Sequence, residues 1–257
     1  KKINLTKKNW EILIEPWLYT YLSTNYFRWL LVDELISIYK KFNYLEIKVK
    51  NNIPVFDTLQ FYEFNHNDDV YNHLMFQSIL EFKNKKKKLK KETLKHKTFY
   101  LNNNFIHKIY TKTKSNFLFV IYEKFILKFI DPNILINIRT KKINFFKLCL
   151  KLNILGFKGL TIFDRKKLIN ISNMNIHEKD KRINMKFIPK SNNEFENYIL
   201  NKIKEDIPRI FIENFKDIKK IHEKKLTNID TVVSDTHHRF NPIFKSWIAH
   251  RKNFNKN

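Results

Sequence analysis

The residue types best suited to polar chemistry lie together in one short segment, which begins at Ser234 and ends at Arg239. The segment follows a β-branched run and precedes a helical pattern, and ligands of open parallel sheets bind at such positions. His237 and His238 titrate near neutral pH, so we predict them as catalytic residues, either one serving as a general base. We predict that Ser234, Arg239 and the nearby Lys245 bind substrate, because such groups donate hydrogen bonds to phosphate. A polar surface loop is the alternative interpretation.

A second candidate site starts with the acidic pair Asp68 and Asp69, which favours a helix N-terminus. Asn72 and His73 follow, and we predict that they bind substrate by hydrogen bonding to hydroxyl groups. Capping of the helix and a satisfied histidine at the edge of the core are the alternative. The acidic pair lacks the Asp-x-Asp spacing of a common metal motif, and no histidine cluster has ligand spacing. We therefore predict neither a metal nor a cofactor.

Helical spacing of apolar residues dominates the first part of the chain. The pattern runs from Trp10 to Phe42, with Pro16 expected to cause a kink or to begin a new helix. Leu45 to Val49 alternates apolar and polar residues, which is typical of a strand. A further helix is predicted after Asp69. The N-terminal half is therefore expected to be helix-rich.

Short apolar runs alternate with helical patterns in the second half of the chain. The predicted strands are Leu160 to Phe163, Pro208 to Ile212, and Thr231 to Ser234. The predicted helices are Ile143 to Leu155, Phe195 to Ile203, Asn214 to Lys225, and Pro242 to His250. Such alternation is typical of parallel sheets. The predicted fold class is α/β, with a small parallel open sheet and flanking helices in the C-terminal half.

The formal net charge of +25 would ordinarily indicate a nucleic-acid or anionic-membrane partner. However, only seven of the 50 basic residues are arginine, and the abundance of Lys, Asn, Ile and Phe is typical of an A+T-rich genome. We therefore expect no specific nucleic-acid partner. The lysine-rich run from Lys83 to Lys97 is interpreted as a solvated linker or helix surface, with contact to phosphate or to an anionic membrane as the alternative. It is the predicted boundary between domains at 1–97 and 98–257. The single cysteine, Cys149, excludes a disulfide within the chain and fits a cytoplasmic protein.

Four phrases of the sequence together resemble one protein family. They are Trp10 to Leu18, Asp68 to Leu74, Glu194 to Glu196 with Ile207 to Phe215, and Thr231 to Ser234 with Phe244 to Ala249. In this order they resemble a family of uncharacterised transferases from bacterial surface-polysaccharide gene clusters. Two departures from the family pattern are Glu15, where the family has glycine, and Tyr26 to Trp29, which keeps the arginine of an Asp-Arg pair and loses the aspartate.

The resemblance implies a two-domain, GT-B-like glycosyltransferase. Its expected partners are a nucleotide-activated sugar donor and a polysaccharide-precursor acceptor, with peripheral contact to the anionic inner face of the cell membrane. The family's glycine-rich phrase with His-Gly-Gly does not occur in this chain. The chain is therefore expected to be a fragment that is inactive alone. The alternative from the residues themselves is a basic RNA-binding or organellar ribosomal-type protein, which the lysine and aromatic content would suit.

Overall fold

A computed structural model gives the structure of the chain. It describes residues 5–39, 42–48, 54–87, 90–93, 134–137, 144, 147–148, 151–152, 160–161, 182, 185, 191–225, 229, 231–234 and 240–254.

The chain forms two compact units, each discontinuous in sequence. The helical unit comprises Ile14–Phe105 and Ile176–Glu213, and the terminal unit comprises Lys1–Leu13, Ile106–Asn175 and Asn214–Asn257. The predicted domain boundary at residue 97 lies outside the described residues, so the predicted division of the chain there stays a prediction.

The first helix, α1, is Lys7–Ile38. The hydroxyl oxygen of Thr6 accepts a hydrogen bond from the backbone N–H of Asn9 at 3.3 Å, which caps the start of the helix. The predicted helical pattern is confirmed, and the helix continues through Pro16 instead of starting again there. Its buried apolar residues recur at helical spacing, with Leu13 in the terminal unit and the others in the helical unit: Leu13, Trp17, Tyr21, Trp29, Val32 and Ile36.

The next elements of the helical unit are two short strands and two helices. They are β1 (Asn43–Glu46), α2 (Thr58–Asn67), α3 (Asp69–Lys87) and β2 (Lys90–Thr93). The two strands pair in parallel over four residues each. The lysine-rich run predicted to be a linker or a helix surface begins in α3, and its later residues Lys90 to Thr93 form β2. Lys83 itself is buried, and its ammonium forms an ion pair with the carboxylate of Asp33.

The helical unit is completed by α4 (Glu194–Asp206) and a 3-10 helix (Arg209–Phe211). Asn193 caps α4, because its side-chain oxygen accepts the N–H of Glu196 at 3.1 Å. The backbone N–H groups of Arg209 and Ile210 donate to the carbonyls of Val55 and Phe56 at 2.9 and 3.0 Å. These two bonds fix the 3-10 helix to the segment before α2.

The terminal unit contains a small sheet and two helices among its described residues. The strands β3 (Ile134–Asn137), β4 (Leu160–Thr161) and β5 (Thr231–Ser234) pair in parallel in the order β4-β3-β5. The helices are α5 (Phe215–Lys225) and α6 (Pro242–Phe254). Phe215 lies between the rings of Trp10 and His250, at centroid distances of 5.4 and 6.1 Å.

The predicted GT-B-like α/β fold is wrong. Helices dominate the described residues, and the strands are only two to four residues long. The predicted strand from Pro208 to Ile212 is instead the 3-10 helix, in which the adjacent Ile210 and Phe211 are both buried. A strand would have sent these neighbours to opposite faces. Such a short apolar run does not distinguish a strand from a helical turn.

Candidate functional site

A group of polar side chains lies inside the helical unit, where α1, α3 and α4 contribute residues to the same region. We call it the polar cluster, and it comprises Tyr21, Asn25, Arg28, Asn72, Tyr198 and Asp206. Polar groups in a core must find hydrogen-bond partners there, because water is excluded. The cluster therefore brings several buried or partly buried polar side chains within hydrogen-bonding distance of one another.

Hydrogen bonds connect α1 to α4 within the polar cluster. The hydroxyl of Tyr21 donates to a carboxylate oxygen of Asp206 at 2.8 Å. The amide of Asn25 donates to the Tyr21 carbonyl at 2.8 Å and accepts from the hydroxyl of Tyr198 at 3.3 Å. Ser78 on α3 lies 2.8 Å from the same Tyr198 oxygen. The network joins α1 to α4 through Tyr21 and Asn25, and α3 to α4 through Ser78, so it fixes the positions of the three helices.

Burial shifts the titration of the groups in this network. It raises the pKa of Asp206 above its usual value of 3.8, although the ammonium of Lys202 at 3.8 Å and the bond from Tyr21 act in the opposite direction. Burial also raises the pKa of Tyr198 to about 12 and that of Tyr21 well above its usual range. A buried carboxyl group with a raised pKa beside a phenol is a chemically suitable proton donor or acceptor.

Arg28 is the cationic member of the polar cluster and is only 6% exposed. Its Nη2 donates to the side-chain oxygen of Asn72, and its guanidinium carbon lies 5.7 Å from the ring centroid of Phe76. Its Nη1 is buried without a hydrogen-bond partner. Burial lowers the pKa of Arg28, against the opposing influence of the phenols of Tyr71 and Tyr198.

The start of α3 positions the two substrate-binding residues predicted there. Asp68 accepts the N–H of Tyr71 at 2.8 Å, and its carbonyl accepts the amide of Asn72 at 3.1 Å. Asn72 is thereby oriented toward Arg28. His73 points elsewhere, since its Nε2 lies 2.8 Å from the carbonyl of Leu45. Both assignments stay predictions, but only Asn72 joins the polar cluster.

The predicted residues of the terminal unit are described only in part. Ser234 ends β5, opposite Asn137 of β3. His237, His238 and Arg239 lie outside the described residues, so their roles stay predictions.

Lys245, on α6, is buried in the terminal unit, and its ammonium donates to the carbonyl of Leu13 at 3.3 Å. Pro16 lacks the N–H that would bond to the carbonyl of Ile12, so one hydrogen bond of α1 is missing there. Lys245 bonds to the neighbouring carbonyl, that of Leu13. This contact gives Lys245 a structural role in addition to the predicted one.

Neither a metal cluster nor a membrane span is found in the described part of the chain. No three His, Cys, Asp or Glu side chains come together there in a way that could hold a metal ion. None of the described helices combines the length and the apolar character that crossing a bilayer requires.

Sequence reasoning missed most of the polar cluster. The available signal was the spacing of Tyr21, Asn25 and Arg28, which places three polar groups on the buried side of an otherwise apolar helix. Their partners Tyr198 and Asp206 gave no comparable signal, because they appeared only as parts of a polar helix.

Comparison with known proteins gives one match. Neither the curated proteins nor the solved structures contain a sequence similar enough to count as related. A family model described as "LIC12162 family transferase" matches residues 1–256. Because this match covers nearly the whole chain, the protein belongs to the LIC12162 family of transferases.

Proposed function

We propose that this transferase is a glycosyltransferase of surface-polysaccharide biosynthesis. It would move a sugar or a sugar-like group from a nucleotide-activated donor to a polysaccharide precursor. The observation that carries the proposal is the transferase family match over residues 1–256. The order of the four sequence phrases supports the narrower choice of substrate.

The polar cluster gives this proposal a structural basis within the helical unit. Arg28 follows the first phrase, Asn72 belongs to the second, and Asp206 directly precedes the Ile207 to Phe215 part of the third. The structure brings these three residues into one cluster. Residues that are far apart in sequence and costly to bury are seldom gathered for packing alone.

In the proposed reaction, an acceptor hydroxyl oxygen attacks the anomeric carbon of the donor sugar. The bond from that carbon to the diphosphate oxygen breaks, and a nucleoside diphosphate leaves. A base takes the hydroxyl proton, and His237 or His238 is our candidate for it. Ser234 and Arg239 are the candidates for holding the diphosphate, because hydroxyl and guanidinium groups donate to phosphate oxygens.

The proposed location is the cytoplasm, with peripheral contact at the inner face of the cell membrane. The formal charge of +25 supports this, since basic segments are attracted to anionic lipids.

The proposal predicts donor-dependent transfer by the protein expressed from its complete reading frame. Nucleotide sugars carrying uridine, guanosine, cytidine and thymidine would be incubated with a polysaccharide-precursor extract, and the released nucleotide and the labelled product would be measured. One donor class should give transfer that requires the extract. Transfer of a group other than a sugar would replace the glycosyl assignment while leaving the family intact.

A further inference from the structure

Arg28 carries a positive charge inside the helical unit without an acidic partner in the described part of the chain. Its side chain is 94% buried, its Nη2 is bonded to the neutral amide of Asn72, and its Nη1 has no partner. A buried charge is normally compensated by an opposite charge, because removing it from water is costly. The ring of Phe76 at 5.7 Å offers only weak compensation.

Two carboxylates, those of Asp68 and Asp206, influence the same Tyr71 as Arg28 does, but both are bound to other groups. The carboxylate of Asp68 accepts the N–H of Tyr71 at 2.8 Å and so caps α3. The carboxylate of Asp206 accepts the hydroxyl of Tyr21 at 2.8 Å and lies 3.8 Å from the ammonium of Lys202. Neither carboxylate forms an ion pair with Arg28 within 4 Å, so the guanidinium lacks a counter-ion among the described residues.

The surroundings of Arg28 suit an oxyanion. Tyr71 and Asn72 are only partly buried, so the polar cluster borders solvent at the start of α3. Tyr71 carries a phenol hydroxyl, which is a hydrogen-bond donor at neutral pH. A guanidinium presents a planar set of N–H groups that matches two oxygens of a phosphate.

We propose that the helical unit binds a phosphate group at Arg28, with Nη1 donating to one of its oxygens and side chains at the start of α3 lining the site. The bound phosphate supplies a counter-ion for the guanidinium of Arg28. Such a ligand binds the folded chain in preference to the unfolded one, so it stabilises the fold. The inference does not depend on glycosyl transfer, since it concerns only the charge of Arg28.

The test is the thermal midpoint of the 257-residue chain as inorganic phosphate is added at constant pH and ionic strength, with chloride as the balancing anion. The midpoint of the wild type should rise as phosphate is added, by about 3–5 °C at ten times the dissociation constant. Arg28→Met should show no rise. Its midpoint without phosphate should equal or exceed that of the wild type, because an apolar side chain replaces an uncompensated charge.

Asn72→Asp is the second variant and serves if Arg28→Met fails to fold. It places a carboxylate against Nη2 of Arg28, so the fold should no longer respond to phosphate. Lys48→Gln removes an exposed cation of the same unit and should respond as the wild type does. The inference is overturned if the wild type does not respond, or if Asn72→Asp or Arg28→Met keeps the full response.

A uridine diphosphate arm of the same experiment distinguishes the sources of the phosphate group. If uridine diphosphate raises the thermal midpoint more than inorganic phosphate does at the same concentration, the site is assigned to a nucleotide. An equal rise in the midpoint assigns it to free phosphate. Both results support a phosphate site at Arg28, and failure of both probes rejects it. A missing transfer activity would not affect this reading.

Discussion

Replacing Arg182 with alanine is expected to lower the free energy of unfolding by about 3–5 kcal/mol. The guanidinium donates to the carbonyls of Lys204, Glu205 and Ile207 at 3.0, 3.0 and 2.6 Å, and also to the carboxylate of Glu213. It therefore binds the carbonyls at the end of α4, where the helix dipole favours a cation. Without it, the buried Glu213 loses its ion-pair partner and keeps only the electrostatic attraction of Arg209. Urea denaturation followed by circular dichroism measures the change.

Three further variants separate the causes of this loss. Arg182→Lys should recover only part of the stability, because an ammonium cannot replace a planar guanidinium at so many acceptors. The double variant Arg182→Ala with Glu213→Gln should be more stable than Arg182→Ala alone, since Glu213 then no longer carries a buried charge that has lost its ion-pair partner. Lys48→Ala at an exposed position of the same unit is the control and should change stability by less than about 0.5 kcal/mol. A loss of under 1 kcal/mol in Arg182→Ala would show that these contacts do not hold α4.

Alanine at His237 or His238 is expected to reduce turnover by about 10²–10⁴-fold in the full-length enzyme, which is the usual effect of losing a general base. The reason is that a base must take the proton of the acceptor hydroxyl during transfer. The thermal midpoint should change little, so the loss of turnover should exceed any loss of stability. The measurement compares kcat/KM and the midpoint for both variants.

His66→Ala provides the matched control for these histidine variants. His66 is an exposed residue of α2, and its Nδ1 lies 2.7 Å from the carbonyl of Tyr62 within the same helix. Its removal should leave turnover unchanged. Wild-type turnover in both His237→Ala and His238→Ala would show that the segment after β5 is a polar loop without a catalytic role.

Elements that depend on neighbouring residues could be predicted from the sequence. The strand Thr231–Ser234 and the helix that begins at Pro242 have the predicted positions, because β-branched runs and helical spacing are local signals. The segment from Pro208 to Ile212 could not be predicted in this way. Its conformation is fixed by bonds to Val55 and Phe56, more than 150 positions earlier in the chain.

The polar cluster shows the same limit for a site. Tyr21, Asn25 and Arg28 could be placed on one face of a helix by their spacing alone. What makes them chemically unusual is their contact with Asp206 and Tyr198, which lie 185 and 173 positions further along the chain. A single sequence contains no signal for such a pairing, so the raised pKa of Asp206 could not be inferred from it.

The most direct test of the glycosyltransferase account is a calorimetric titration of the complete protein with nucleoside diphosphates at about 0.15 M salt, with single-stranded RNA as the competing ligand. The account predicts saturable binding of at least one nucleoside diphosphate, because a transferase must hold the leaving group of its donor. It also predicts only weak RNA binding that falls steeply as salt is added, since lysine-driven contacts release counter-ions. Submicromolar binding of RNA at this salt, together with no heat from any nucleoside diphosphate, would contradict the account and favour an RNA-binding protein.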